Sequence, residues 1–246
     1  MLRPSQILDT LVAPLGIAPD HWRWEPGLTP LSTWHSVLAG FAGYLAMVFG
    51  GKHIMRSLPP FRSRTADMLH NAFLTLASAF LFALYIEELL PVWRLHGIVP
   101  ALCHPDSWSP RLVFLHYLNY LTKWYEFVDT LFLVLKKKPT RFLHVFHHSM
   151  TMVLTFSQIR GMNAVSWGPI VLNLLVHVLM YYYYFLASRG IRVWWKQYIT
   201  VMQIAQFVID VFMIHYFVYH LYLAPRLGLP HIKSCQGTIS SAIFGC

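Results

Sequence analysis

The chain has 246 residues, of which 56% are hydrophobic and only 12% charged. An average soluble domain carries roughly 25% charged residues, so a water-facing surface could hardly be assembled, and a soluble or disordered chain is excluded. The net charge of +9 does not point to nucleic acid, because the cations fall mostly in short connections between apolar stretches, as the positive-inside rule predicts.

The first 30 residues hold no continuous apolar region before a small-residue cleavage site, so they read as an N-terminal segment and not a signal peptide. A membrane-spanning helix needs about 20 mostly apolar residues. Spans are predicted at 31–51, 68–90, 111–135, 142–160, 165–188 and 196–223. A seventh apolar stretch begins at Gly237 and, up to Cys246, covers only about half of a ~30 Å bilayer core. The expected class is an all-α polytopic membrane protein: an N-terminal segment over 1–30, then one membrane domain over 31–246 without internal repeats. Lys52, Arg56, Arg62 and Arg64 lie in the first connection. Lys136, Lys137, Lys138 and Arg141 lie in the third, and Arg189, Arg192 and Lys196 in the fifth. These three connections are expected in the cytosol, with the N-terminus on the lumenal or exterior side.

That topology places Cys103 and Cys235 on the same, non-cytosolic side. An oxidising compartment permits a disulfide there; two unpaired loop cysteines fit equally well. No CxxC occurs among Cys103, Cys235 and Cys246, which argues against zinc ribbons and iron–sulfur clusters.

Ionisable groups at membrane depth are costly and mark function by default. On the third span His116, Asn119, Lys123, Glu126 and Thr130 fall within an arc of about 80°, with Asp129 at its edge. Lys123 and Glu126, three apart, can pair. A structural ion pair accounts for those two but not for the further polar neighbours. On the fourth span His144, His147 and His148 share one face, continued by Thr151, Thr155 and Gln158. On the fifth, Asn173, His177 and Tyr184 share a face, although part of the tyrosine run 181–184 fits an interfacial aromatic belt. On the sixth, Gln203, Gln206 and Asp210 do, although either glutamine fits a simple interhelical hydrogen bond. The economical packing turns all four stripes toward one cavity.

Clustered imidazoles permit two chemistries. Metal ligation is one, since imidazole suits iron, copper and zinc. The HxxHH spacing occurs in di-iron membrane desaturases and hydroxylases, but those carry three such boxes and this chain carries one. Covalent catalysis is the other: a neutral imidazole attacks an activated acyl group, and a neighbouring histidine carries protons. The cations Lys136, Lys137, Lys138 and Arg141 flank the cytosolic ends of the histidine-bearing helices, where they suit CoA phosphates; ordinary positive-inside charge accounts for some of them equally well. A non-enzymatic transporter or receptor is a third class, though neither repeated halves nor clearly broken helices support it.

KWYEFVDT at 123–130, LHVFHH at 143–148, NLLVHVLMYYYY at 173–184 and QIAQF at 203–207 resemble, in this order, the four signatures of the ELO family of very-long-chain fatty acid elongases. The look is closest to fungal members. The resemblance implies a 3-oxoacyl-CoA synthase, an acyltransferase of the endoplasmic reticulum. It would condense a long-chain acyl-CoA with malonyl-CoA to 3-oxoacyl-CoA, CO2 and CoA. It implies seven helices, six of them forming an inverted barrel around a tunnel that opens to the cytosol and closes toward the lumen. It implies no metal and no cofactor beyond the two CoA substrates. His147 would accept the acyl group and His177 would be its partner across the tunnel. His144 and His148 would orient them and move protons. Lys123, Glu126, Asp129, Asn173, Tyr184, Gln203 and Gln206 would line the site, with Lys137 and Arg141 at its basic mouth. A lumenal disulfide is implied between Cys103 and Cys235. Implied partners are the bilayer, the ketoacyl reductase, dehydratase and enoyl reductase of the elongation cycle, and a second copy of the chain. The alternative is a di-iron desaturase or hydroxylase. Because the family continues through a whole seventh helix, the sequence as given is expected to be weakly active or inactive.

Overall fold

A computed structural model describes residues 3–230 together with Ile232, Cys235, Gly237 and Thr238. The described residues are helical, without a β-strand. The order is α1 (Pro4–Val12), α2 (Trp34–Met55), α3 (Arg64–His96), α4 (Ile98–Ala101), α5 (Pro110–Tyr125), α6 (Phe127–Leu135), α7 (Phe142–Gly161), α8 (Trp167–Ser188) and α9 (Lys196–Val218). A π-helical turn (Tyr219–Leu223) and α10 (Ala224–Leu227) follow. The seventh apolar stretch lies outside the described residues apart from Gly237 and Thr238.

Local chemistry sets the helix starts. Thr33, Ser63 and Ser109 each accept a hydrogen bond from the backbone N–H three residues on, at 3.2, 3.1 and 3.1 Å. Each hydroxyl thereby satisfies one orphan donor of the first turn. Among the described residues four helices are long and apolar enough to cross a bilayer: Trp34–Met55, Arg64–His96, Ala164–Ser188 and Lys196–Leu227. The chain is therefore a multi-pass membrane protein. Two predicted spans fall short of that measure for visible reasons. The span expected at 111–135 is two helices, because the ladder breaks at Glu126, where Asp129 N–H closes a tighter turn onto Glu126 O at 3.0 Å. α7 is long enough, but its histidines, threonines and glutamine dilute the apolar run.

α3 is the central element, packing on α8 and α5. α5 also packs on α7, α8 on α9, and α2 lies against α6 and α7. The α2 contact is close: a Cβ at Gly40 would overlap the Trp124 ring, so only glycine lets this helix approach. The core runs through Tyr85, Leu89, Leu112, Phe114, Tyr120, Phe156 and Leu174. Val201, Ile204, Phe207, Val208 and Phe212 stay exposed on α9, as suits a flank facing lipid.

The two ends of the bundle differ. At one end Lys136 pairs with Asp67 among the basic connections. At the other, the N-terminal segment folds back onto the helices. Arg111, 8% exposed, donates to Asp9 at 2.9 and 3.1 Å and to Asp20 at 2.8 Å from both Nε and Nη2. Ser5 donates to Glu87 through its backbone N–H and its hydroxyl, at 2.9 and 2.7 Å. Trp22 rests on Phe114 and Tyr117, and Trp24 on Tyr120 and Phe156. A disulfide joins Cys103 to Cys235, 132 residues apart. Closing so long a loop constrains the unfolded chain by an amount on the order of 4–5 kcal/mol in the entropic description.

The hydrogen bond from Arg111 holds the Asp20 carboxyl below its ordinary value, against a smaller opposing effect of burial. A depressed folded value contributes stability above the unfolded carboxylate pKa of about 3.9, and that contribution is lost as pH falls through the lower folded value. Arg111→Met should therefore unfold at a lower temperature in detergent at pH 7. The gap to wild type should close only below about pH 4. An equal gap at pH 3 would show that the bridge is not what ties the N-terminal segment down.

Candidate active site

The polar stripes of α5, α7 and α8 meet inside the bundle. Lys123, 3% exposed, donates to Glu126 Oε1 and to Asn173 Oδ1, both at 2.8 Å. Asn173 Nδ2 lies 3.3 Å from His177 Nε2, and His177 Nδ1 lies 3.4 Å from the same Glu126 oxygen. The other carboxylate oxygen of Glu126 faces His148 Nδ1 at 3.9 Å, beyond hydrogen-bond distance. Both of these atoms are buried without a hydrogen-bond partner among the described residues. His144 Nε2 reaches the hydroxyl of Thr130 at 3.0 Å, which is in turn 2.9 Å from the Tyr44 hydroxyl. His147 stands with its ring perpendicular to His148, centroids 5.6 Å apart, and has no hydrogen-bond partner among the described residues. Of the three box histidines, His144 is thus bound to a structural hydroxyl, His148 faces a carboxylate, and His147 is the imidazole left open.

Deeper along α5, away from the basic end, the stripe continues. His116 Nδ1 is shared between Leu112 O at 2.6 Å and the Tyr85 hydroxyl at 3.0 Å. His116 Nε2 and Asn119 Oδ1 are buried and have no hydrogen-bond partner among the described residues. Buried polar atoms are nearly always satisfied in folded proteins. Unsatisfied ones along one stripe suit a site that receives its partners from a bound molecule.

Asp129 is the second node. Its two carboxylate oxygens are each 2.7 Å from a partner, His70 Nε2 and the Tyr181 hydroxyl, and His70 Nδ1 lies 3.3 Å from the Tyr125 hydroxyl. One carboxylate thereby locks α3 and α8 to α6 one turn beyond Glu126. His70 belongs to no histidine cluster in the sequence, so no local pattern marks it, and only packing shows its partner.

The other expected site residues lie farther out. Gln203 Nε2 touches Met180 Sδ at 3.6 Å on α8, and Gln206 donates to Asp210 one turn along its own helix at 3.0 Å. No hydrogen bond or ion pair joins either glutamine to the histidines among the described residues. Tyr184 is partly exposed and meets Tyr181 edge-on at 6.2 Å. Lys137 lines a groove of about 540 Å³ with Lys52, Arg56, Lys138 and Thr140 at the basic end. Arg141 is exposed just ahead of α7. As for metals, one group of three potential ligand atoms lies mutually within 4.8 Å among the described residues: His96, His104 and Asp106, at the end opposite the basic connections.

The fold and the site define a class: an all-helical, multi-pass membrane protein with a histidine box opposed to a buried lysine and glutamate and a half-buried asparagine. Residues 29–246 match the family described as ELO: GNS1/SUR4 family, and the chain belongs to that family. It is 44% identical over 233 residues to "Putative fatty acid elongase 1" of Schizosaccharomyces pombe, covering 94% of this chain and 70% of that protein. It is 40% identical over 228 residues to "Putative fatty acid elongase 2" of the same organism, covering 93% and 62%. With "Fatty acid elongase A" of Dictyostelium discoideum it shares 35% identity over 225 residues, covering 92% and 81%.

The site makes the Lys123–Glu126 pair testable. Removing one partner leaves an uncompensated buried charge, which costs about 3–5 kcal/mol, whereas replacing both is far milder. Lys123→Met should lower the unfolding temperature strongly, and the double variant Lys123→Met with Glu126→Gln should recover most of the loss. A double variant no better than the single one would mean that the two charges do not offset each other.

Proposed function

We propose that the chain is a fatty acid elongase, the 3-oxoacyl-CoA synthase that condenses a long-chain acyl-CoA with malonyl-CoA, working through an acyl-histidine. The observation that carries this reading is the division of roles in the box. His147 is open, while His144 is fixed by Thr130 and His148 faces Glu126. The printed names of the relatives support the reaction class.

In this mechanism an unprotonated nitrogen of His147 attacks the thioester carbonyl. The C–S bond breaks, and CoA leaves as the thiol after accepting a proton relayed by His148 or His144. Malonyl-CoA then loses CO2. The electron pair of the broken C–C bond forms the new bond to the acyl carbon, and the imidazole is expelled. The products are 3-oxoacyl-CoA, CoA and CO2, with one proton taken up overall. Negative charge develops on the thioester oxygen of the decarboxylating malonyl unit. Preorganised donors in a site shielded from water stabilise such charge best, and Lys123, Asn173 and His177 supply them. No metal enters the scheme. The basic end is the cytosolic mouth, where the cations flanking Lys137 and Arg141 meet CoA phosphates. The opposite end, with its disulfide, faces the lumen of the endoplasmic reticulum.

The deciding experiment incubates purified protein with acyl-CoA and labelled malonyl-CoA in the presence of a chelator. 3-Oxoacyl-CoA should form, and His147→Ala should lose it by roughly a thousandfold or more, as removal of a covalent nucleophile does. With malonyl-CoA withheld, mass spectrometry of the peptide bearing His147 should show the acyl adduct. 3-Oxoacyl-CoA still formed by His147→Ala would remove His147 as the nucleophile, and no 3-oxoacyl-CoA from wild type, with turnover that needs iron and O2, would move the assignment to the oxygenase alternative. His70→Asn should lower kcat with little change in KM, since it acts through Asp129 and does not touch substrate. A raised KM at unchanged kcat would make His70 a binding residue instead.

A further inference from the structure

At the end opposite the basic connections, three side chains outside the candidate active site come together. His96 closes α3, and His104 and Asp106 follow the disulfide-bonded Cys103. The two imidazoles stack with centroids 3.8 Å apart. His96 Nε2 is 3.8 Å, and His104 Nδ1 3.6 Å, from the same Asp106 oxygen. The backbone N–H of Asp106 donates to His104 Nδ1 at 3.3 Å. Nδ1 is therefore the acceptor nitrogen, and its one lone pair reaches an ion only when this long N–H contact is given up.

The carrying segment is well tied. Gly97 N–H bonds Trp93 O, Ala101 N–H bonds Gly97 O and His104 N–H bonds Ala101 O, a succession of turns at 2.8, 3.2 and 3.3 Å. Cys103 is fully buried in its disulfide. The three ligand side chains nevertheless keep solvent access, at 34%, 29% and 64%, so an ion can enter without opening the fold.

We propose that His96, His104 and Asp106 bind one zinc(II) ion, with water as the fourth ligand. Zn–N and Zn–O bonds of about 2.0–2.2 Å place neighbouring ligands of a tetrahedral ion about 3.3–3.5 Å apart. The observed 3.6 and 3.8 Å to Asp106 are within a few tenths of an ångström of that, all three ligand atoms lie within 4.8 Å of one another, and the two stacked rings must turn for both to face one ion. Two imidazoles and a carboxylate suit zinc over the hard ions calcium and magnesium. Bound there, the ion clamps the end of α3 to the turn beside the disulfide. The site shares no residue with the histidine box, so it stands or falls independently of the proposed chemistry.

The test uses the whole chain in detergent, stripped with a chelator and titrated calorimetrically with zinc chloride. One saturable site should be seen that magnesium and calcium do not occupy. In the double variant His96→Ala with His104→Ala it should vanish, while the exposed control His53→Ala keeps it. Asp106→Asn should weaken it by roughly tenfold or more, since losing a ligand costs at least what losing an outer-shell partner does. Zinc should raise the unfolding temperature of wild type and not of the double variant. Undiminished binding in both the double variant and Asp106→Asn would overturn the proposal, as would the absence of any saturable zinc site in wild type. Should the double variant fail to fold, Asp106→Asn decides alone.

Discussion

A lysine and a glutamate one turn apart inside a membrane bundle are tolerable only as a compensated pair. Desolvating either ion costs several kcal/mol even after relaxation, and their attraction offsets this only with good geometry and further hydrogen bonds. Lys123 finds both, in Glu126 and Asn173 at 2.8 Å each. Asn173 comes from α8, so the pair dictates how close α8 must lie to α5. The carboxylate in turn draws in His177 and leaves one oxygen toward His148. The helix breaks at the same residue, which starts α6 afresh and lets Asp129 face α3 and α8. Much of the interior geometry follows from that one charged turn.

The remaining polar groups divide by depth. Near the basic end, His144 and Thr130 join α7 to α6, and Tyr44 joins α2 to α6 through the same Thr130 hydroxyl. In the middle lie the open imidazole of His147 and the Lys123–Glu126 pair. Beyond them His116 and Asn119 hold unpartnered atoms in an otherwise apolar wall. A molecule with a polar head and a long apolar tail would meet groups of matching character in that order, which fits the acyl-CoA of the proposed reaction. At the far end, the ionic clasp of Arg111 and the Trp22 and Trp24 contacts close the bundle with the N-terminal segment. The tolerance for change should therefore be lowest along the α5, α7 and α8 stripes, and greater on the lipid-facing flank of α9, where large apolar side chains touch little.

The sequence by itself determined the class and most of the framework. Apolar runs of bilayer length and scarce charge leave a membrane bundle as the only option, and four of the predicted spans coincide with helices long and apolar enough to cross a bilayer. Helical periodicity is local, so the faces that carry Lys123 and Glu126, the three box histidines, and Asn173 with His177 are legible on a wheel. Tertiary structure decided what periodicity does not encode: which faces meet, and how near. It showed His70 as the partner of Asp129, a contact across 59 residues of sequence that no helical wheel contains. It turned Gln203 and Gln206 toward Met180 and Asp210, although their wheel positions look equivalent to those of Asn173. It also broke one expected span at Glu126, because a buried carboxylate answers to its three-dimensional partners before it answers to the helix around it.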